Sequence, residues 1–201
     1  LKIKSIFISH AHIDHMGGLA NLIWSIRKLN IMGHGTPPDN KIYHHMPNMK
    51  SWEGLKTFLY YSETNHFSWD VEIDERYIFD GPIYEDENIK VSAVHNEHIP
   101  GMLDGAYLSF SYIIEVAGMR IVYSGDVKCL DELRKCLHEG CDILICETGH
   151  HKVDDVCQLA KEYKVGTLLF THNGREIINH RQDVDKRLEK NDCNAIICYD
   201  K

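Results

Sequence analysis

Four metal-ligating side chains fall within six consecutive residues near the start of the chain, His10-Ala11-His12-Ile13-Asp14-His15. Imidazole nitrogen and carboxylate oxygen are donors that divalent transition metals take up, and a catalytic site keeps one position open for water. The run follows residues 2–9, where Ile3, Ile6, Phe7 and Ile8 make a β-rich stretch suited to a buried strand. In extended backbone His10 and His12 point to one side, because strand side chains alternate with period two. Asp14 and His15 follow where the strand turns into a loop, and Gly17-Gly18 behind them allow tight backbone passage. Two ligand pairs from one strand end imply two cations close together, sharing a bridging water. The rest of the fold must then bring further ligands to that strand end.

Composition narrows the class of protein. A chain of 201 residues with 43% apolar types is long enough for one domain with a real core. Lys plus Arg is 22 against 30 Asp plus Glu, a net charge of −8 that gives no general pull toward polyanions. No apolar run approaches the ~18–20 residues of a membrane span, and the first residues are too short for a signal-peptide core. Seven cysteines without a CxxC pair do not read as a disulfide framework, which makes a reducing cytoplasm the default setting.

Past the motif, Leu19, Leu22, Ile23, Ile26 and Leu29 step by three and four, as an amphipathic helix does. A loop over 33–40, a short strand at 42–43 and a helix over 49–61 follow. Strands are expected at 89–94, 107–116 and 119–124, the last two as a close pair around Ala117-Gly118. From there helices at about 130–139, 154–163 and 175–190 alternate with strands at 142–146, 166–171 and 195–199, the pattern of an α/β fold. No repeat or linker interrupts it, so residues 1–201 read as a single domain.

The segment FISHAHIDHMGG (residues 7–18) resembles the signature of the metallo-β-lactamase superfamily, and the resemblance continues in order along nearly the whole chain. It implies an αββα four-layer sandwich with a dinuclear site at one sheet edge. The family's third metal-binding His follows a strand, and V-S-A-V-H-N-E-H offers two, of which His98 fits the spacing better and His95 competes. Its bridging Asp follows a strand and a Gly, as Tyr123-Ser124-Gly125-Asp126 does, and a carboxylate suits the role because its two oxygens reach two cations. Its final His closes a strand, matched by Leu169-Phe170-Thr171-His172. The resemblance thus assigns His10, His12 and His98 to one metal, Asp14, His15 and His172 to the other, and Asp126 between them. Zinc is the expected pair of ions, with manganese or iron as alternatives.

The chemistry implied is hydrolysis, by a water that loses its proton between the two cations near neutral pH, with Asp14 orienting it or acting as base. The branch most similar is the phosphodiesterase group that includes ribonuclease Z. In that group a glutamate and a histidine on the following loop help protonate the leaving oxygen, and Glu147 and His150 occupy the matching places, with His151 a rival. Ser111-Tyr112 matches a Gly-Tyr pair of the same branch with Ser in place of Gly. A bridging Asp, not a Cys, argues against antibiotic hydrolysis. The stretch from Asp126 to His172 is filled by helices and strands and leaves no room for a glycine-rich arm gripping transfer RNA. The expected substrate is therefore a small nucleotide or an exposed RNA or DNA phosphodiester, with no membrane partner and room for a homodimer. A thioester or lactone hydrolase on the same frame, and a non-catalytic metal-binding interaction domain, are the competing classes. A di-iron redox site would call for more carboxylates and a flavin partner.

Three smaller readings complete the sequence. Trp52, Phe58, Tyr60, Tyr61, Phe67 and Trp69 offer either core packing or a pocket wall that stacks a base. His34, His44, His45, His66, His138 and His180 lack ligand-like context, and Cys193 and Cys198 read as small apolar fillers. Because the family places strands ahead of its HxHxDH motif, roughly 40–60 further N-terminal residues are expected at ~5–6 residues per strand.

Overall fold

Alternating hydrophobic patterns become alternating elements in the computed structural model, which describes residues 2–62 and 70–198. The first elements are strand β1 (Ser5–Phe7), helices α1 (Ile13–Met16) and α2 (Leu19–Ile31), strand β2 (Lys41–Met46), helix α3 (Met49–Ser62) and strand β3 (Glu72–Tyr77). Strands β4 (Gly81–Glu85), β5 (Ile89–His95), β6 (Met102–Leu103), β7 (Ala106–Tyr107), β8 (Phe110–Val116) and β9 (Met119–Tyr123) follow. The chain continues through α4 (Arg134–Leu137), β10 (Ile143–Glu147), α5 (Val153–Glu162), β11 (Thr167–Thr171), α6 (Arg175–Lys190) and β12 (Ala195–Ile197). It divides into two compact units, residues 1–78 with 101–108, and residues 79–100 with 109–201.

The first unit is built on a parallel sheet ordered β1-β2-β3. As the middle strand of a parallel sheet, β2 is buried on both faces, which is why Ile42, His44, His45 and Met46 are all inside. Helix α2 buries Leu19, Ile23 and Ile26, one stripe at helical spacing, while Leu22 of the expected stripe stays partly exposed. Ile8, Met16, Trp52 and Leu59 join them in the core. Trp52 is thus packing, Phe58, Tyr60 and Tyr61 are exposed, and Phe67 and Trp69, like His66, lie outside the described residues.

The second unit carries a seven-stranded mixed sheet, β12-β11-β10-β9-β8-β5-β4. Val122, Leu144, Cys146, Leu168 and Phe170 point to one face, where α4, α5 and α6 cover them with Leu137, Val156 and Val184. Strands β9, β10, β11 and β12 run parallel, so their C-terminal ends line up along one edge.

The loop expected after His12 begins with the helical turn α1. The helix expected at 130–139 is a 3-10 turn, Leu130–Leu133, followed by the single turn α4. Tyr107 belongs not to β8 but to the hairpin β6-β7, closed by Asp104 and Gly105 with φ of 52° and 84°, as a type I′ turn requires. Cys193 is no filler: it forms a disulfide with Cys157 of α5 across 36 residues, and Cys198 is exposed. The pairing escapes any spacing rule because only tertiary packing brings α5 beside the segment before β12. The strand end expected to reach Tyr199 stops at Ile197, and residues 199–201 lie outside the described residues.

His44 sits edge-on to Trp52 with ring centroids 4.3 Å apart, and His45 stacks on Phe7 at 4.6 Å. Burial pushes each imidazole down to about 4. Between about pH 6.5 and pH 4 the unfolded chain therefore binds protons that the folded chain refuses, and stability falls as the pH falls. Each histidine contributes at most about 1.4 kcal/mol per pH unit in that window. The melting temperature should drop on going from about pH 7 to about pH 5, and His44→Phe should shrink the drop. A melting temperature flat over that interval would contradict neutral burial.

Candidate metal centre

In the first unit the end of β1 delivers the HxHxDH run. His10 is fully buried and its Nε2 lies 3.1 Å from Nδ1 of His12, with the two rings edge to face. Two nitrogens held at ~2.0–2.1 Å by one tetrahedral cation stand about 3.3 Å apart, so this pair is spaced as co-ligands are. Helix α1 swings the next two candidate ligands around: His15 packs against His10 with ring centroids 4.0 Å apart, and its Nε2 lies 3.6 Å from the half-exposed carboxylate of Asp14. A continued strand would have sent Asp14 and His15 to opposite faces; the helical turn gathers them.

In the second unit the aligned ends of β9, β10 and β11 deliver Asp126, Glu147 and His172. Ligand atoms of Asp126, Glu147, His150 and His172 all lie within 4.8 Å of one another. The two carboxylates are 3% and 1% exposed. Asp126 presents its oxygens in two directions, Oδ1 to His172 Nδ1 at 3.7 Å, and Oδ2 to His98 Nε2 and His150 Nδ1, each at 3.7 Å. Burying ionised carboxylates is costly unless cations or protonated partners compensate. A set of imidazole nitrogens and carboxylate oxygens around such a pair suits a divalent transition metal.

The pairs left open by the sequence are placed differently. His95, at the end of β5, turns its Nδ1 to Asp80 at 2.6 Å, whereas His98 faces Asp126. His151 is engaged through its Nε2 with the Val127 carbonyl at 3.0 Å. His150 is about half exposed, with Nδ1 3.2 Å from Glu147 Oε1, while its backbone N–H donates to Glu147 Oε2 at 2.8 Å. Glu147 thus fixes both the ring and the backbone of His150.

The sequence does not single out Gly149 or the left-handed backbone of His172. His172 has φ of 45°, a strained conformation for a side-chain-bearing residue and one that collects at functional sites. A Cβ on Gly149 would lie 2.4 Å from His172 Nδ1, and one on Gly174 would lie 2.2 Å from the Thr148 carbonyl oxygen. The His172 ring therefore occupies the space that a bare glycine leaves. Gly149→Ala should cost about 1–3 kcal/mol of stability through overpacking. It should also move the His172 imidazole resonances more than those of any other histidine; an unmoved His172 signal would contradict the contact.

Comparisons with known proteins agree with this architecture. A sequence profile described as anti-Pycsar protein Apyc1 matches residues 1–190. Ribonuclease Z of Bacillus subtilis (strain 168) is 25% identical, over 94% of this chain and 74% of its own. Among solved structures, the metallo-β-lactamase fold protein YhfI from Bacillus subtilis superposes with a TM-score of 0.70 at 18% identity, covering 97% of this chain and 75% of its own. A diphosphatase of the PhnP family gives 0.63 at 18% identity, covering 99% and 70%. The chain has the metallo-β-lactamase fold that its HxHxDH segment leads one to expect.

Proposed function

The chain belongs to the anti-Pycsar protein Apyc1 family, and from that premise and the strand-end cluster we propose that it is a metal-dependent phosphodiesterase acting on a small nucleotide or an exposed nucleic-acid phosphodiester. In this reading residues 1–201 act as one metallo-β-lactamase-like domain. His10, His12 and His98 would hold one divalent cation and Asp14, His15 and His172 a second, with Asp126 available to both. Zinc is the first choice of ion, with manganese or iron as alternatives. Bound there, such cations supply Lewis acidity toward a phosphoryl oxygen and a lowered pKa for water.

The protein's own groups supply the rest. Asp14, half exposed beside His15, accepts a hydrogen bond from the attacking water and orients it. Glu147, held in the interior, orients the His150 imidazole through Nδ1 at 3.2 Å. The Nε2 of half-exposed His150 then gives its proton to the leaving oxygen. The observation that carries the reading is this buried Glu147 gripping a half-exposed His150 next to Asp126. It is the arrangement a poor, alkoxide-like leaving group needs. The names of the matched ribonuclease Z and PhnP-family diphosphatase point the same way, to phosphoryl chemistry.

Two substrates separate the roles. Purified protein reconstituted with zinc or manganese should hydrolyse bis(p-nitrophenyl) phosphate, and chelation or Asp126→Ala should abolish turnover. His150→Ala should leave that activated substrate nearly untouched, because nitrophenolate departs without a proton. On a nucleotide phosphodiester with a ribose leaving group it should lower kcat by about 10²–10⁴. Metal-dependent turnover of a thioester or lactone, with none of either phosphodiester, would overturn the reading in favour of acyl hydrolysis.

A further inference from the structure

We propose that Asn96 and Glu132 are positioning residues that fix His98 against Asp126 before any cation arrives. The inference rests on the reading above, in which those two side chains hold metal. Asn96 follows β5 directly and is buried, with all its polar groups engaged. Its Oδ1 accepts from the His98 backbone N–H at 3.2 Å, which turns the chain so that the His98 ring faces Asp126. Its Nδ2 donates to Ser111 Oγ at 3.2 Å. Its backbone N–H donates to the Ser109 carbonyl at 3.0 Å, and its carbonyl accepts from Ser109 Oγ at 2.9 Å.

The chain of bonds continues to the second ligand. Ser111 Oγ donates to the Ser124 carbonyl at 2.6 Å, two residues before Asp126. Ser124 Oγ donates to the Gly125 carbonyl at 2.6 Å and accepts from the Glu147 N–H at 3.1 Å. Ser109, Ser111 and Ser124 are as buried as Asn96. Buried polar groups that are fully satisfied hold a single geometry, and a partly satisfied set would be costly. On the other side of the same two loops, the Glu132 carboxylate accepts from the Glu97 N–H at 2.9 Å and the Lys128 N–H at 3.0 Å. The loops carrying His98 and Asp126 are therefore stapled twice, inside by Asn96 and outside by Glu132. Ser111 is the link that passes the inner staple across β8.

A role in folding alone would lower stability and leave the metal affinity of the folded protein unchanged. The test is zinc titration of the chelator-stripped full chain against a chromogenic competitor, with folding followed by circular dichroism. Asn96→Ala should weaken zinc binding about 10–100-fold, the usual effect of removing a group that orients a ligand. Asn96→Asp, which keeps the acceptor for the His98 N–H, should recover part of the loss. Glu132→Ala, at a half-exposed position, should weaken binding about tenfold and carries the test if Asn96→Ala does not fold. Wild-type affinity in a folded Asn96→Ala, or in Glu132→Ala, overturns the staple. A wild-type chain that binds no zinc or manganese overturns instead the metal reading on which it stands.

Discussion

A carboxylate withdrawn from water must be matched by hydrogen-bond donors or positive charge, and the second unit withdraws two of them side by side. Asp126 and Glu147 are both almost wholly buried, and the groups around them divide the work. Glu147 takes backbone donors from Val127 and His150, so its charge is met by peptide dipoles as well as imidazoles. Asp126 is met by ring nitrogens of His98, His150 and His172 at a common 3.7 Å. Those distances are too long for hydrogen bonds, and they leave the space that ligands of a shared cation would leave. The left-handed His172, the bare Gly149 beside it and the serine chain behind them all follow from keeping that carboxylate pair in place.

Parallel pairing explains why the cluster lies at a sheet edge. With Glu147 opposite Thr171, β10 and β11 end level, and with Ile145 opposite Tyr123, β9 ends two residues short of them, so Asp126 beyond β9, Glu147 closing β10 and His172 after β11 come to one edge. Open α/β sheets place their ligand sites outside the carboxyl ends of the strands for this reason. The first unit obeys the same logic on a smaller scale: β1, parallel to β2, ends at the histidine run, and α1 folds Asp14 and His15 back toward His10. The candidate site residues are thus carried on short segments whose roots are fixed by ladders and core packing.

What the sequence makes legible follows from periodicity. Helices α2, α3, α5 and α6 and strands β5, β9, β10 and β11 come out within a residue or two, because one-sided burial imprints a period of 3.6 or 2. Each candidate ligand is visible as a His or Asp in a segment that follows a strand, and the order of those segments is what resembles the family. Features that depend on three-dimensional neighbours are not legible. The turn of α1 is too short to show a period, and Cys157 meets Cys193 only through packing. The different settings of His95 and His98 are decided by Asp80 and Asn96, residues that no motif marks. Asp104 and Gly105 both suit positive φ, but the strands flanking their turn are two residues each, too short to show a period.

The central claim is that the buried Asp126 carboxylate joins two cations. Crystals soaked in zinc and measured on both sides of the zinc absorption edge test it directly. The account predicts two anomalous peaks within coordination distance of Asp126, one beside Oδ1 and His172 and one beside Oδ2 and His98. A single peak away from Asp126, or none in crystals whose ligand residues are intact, would contradict it.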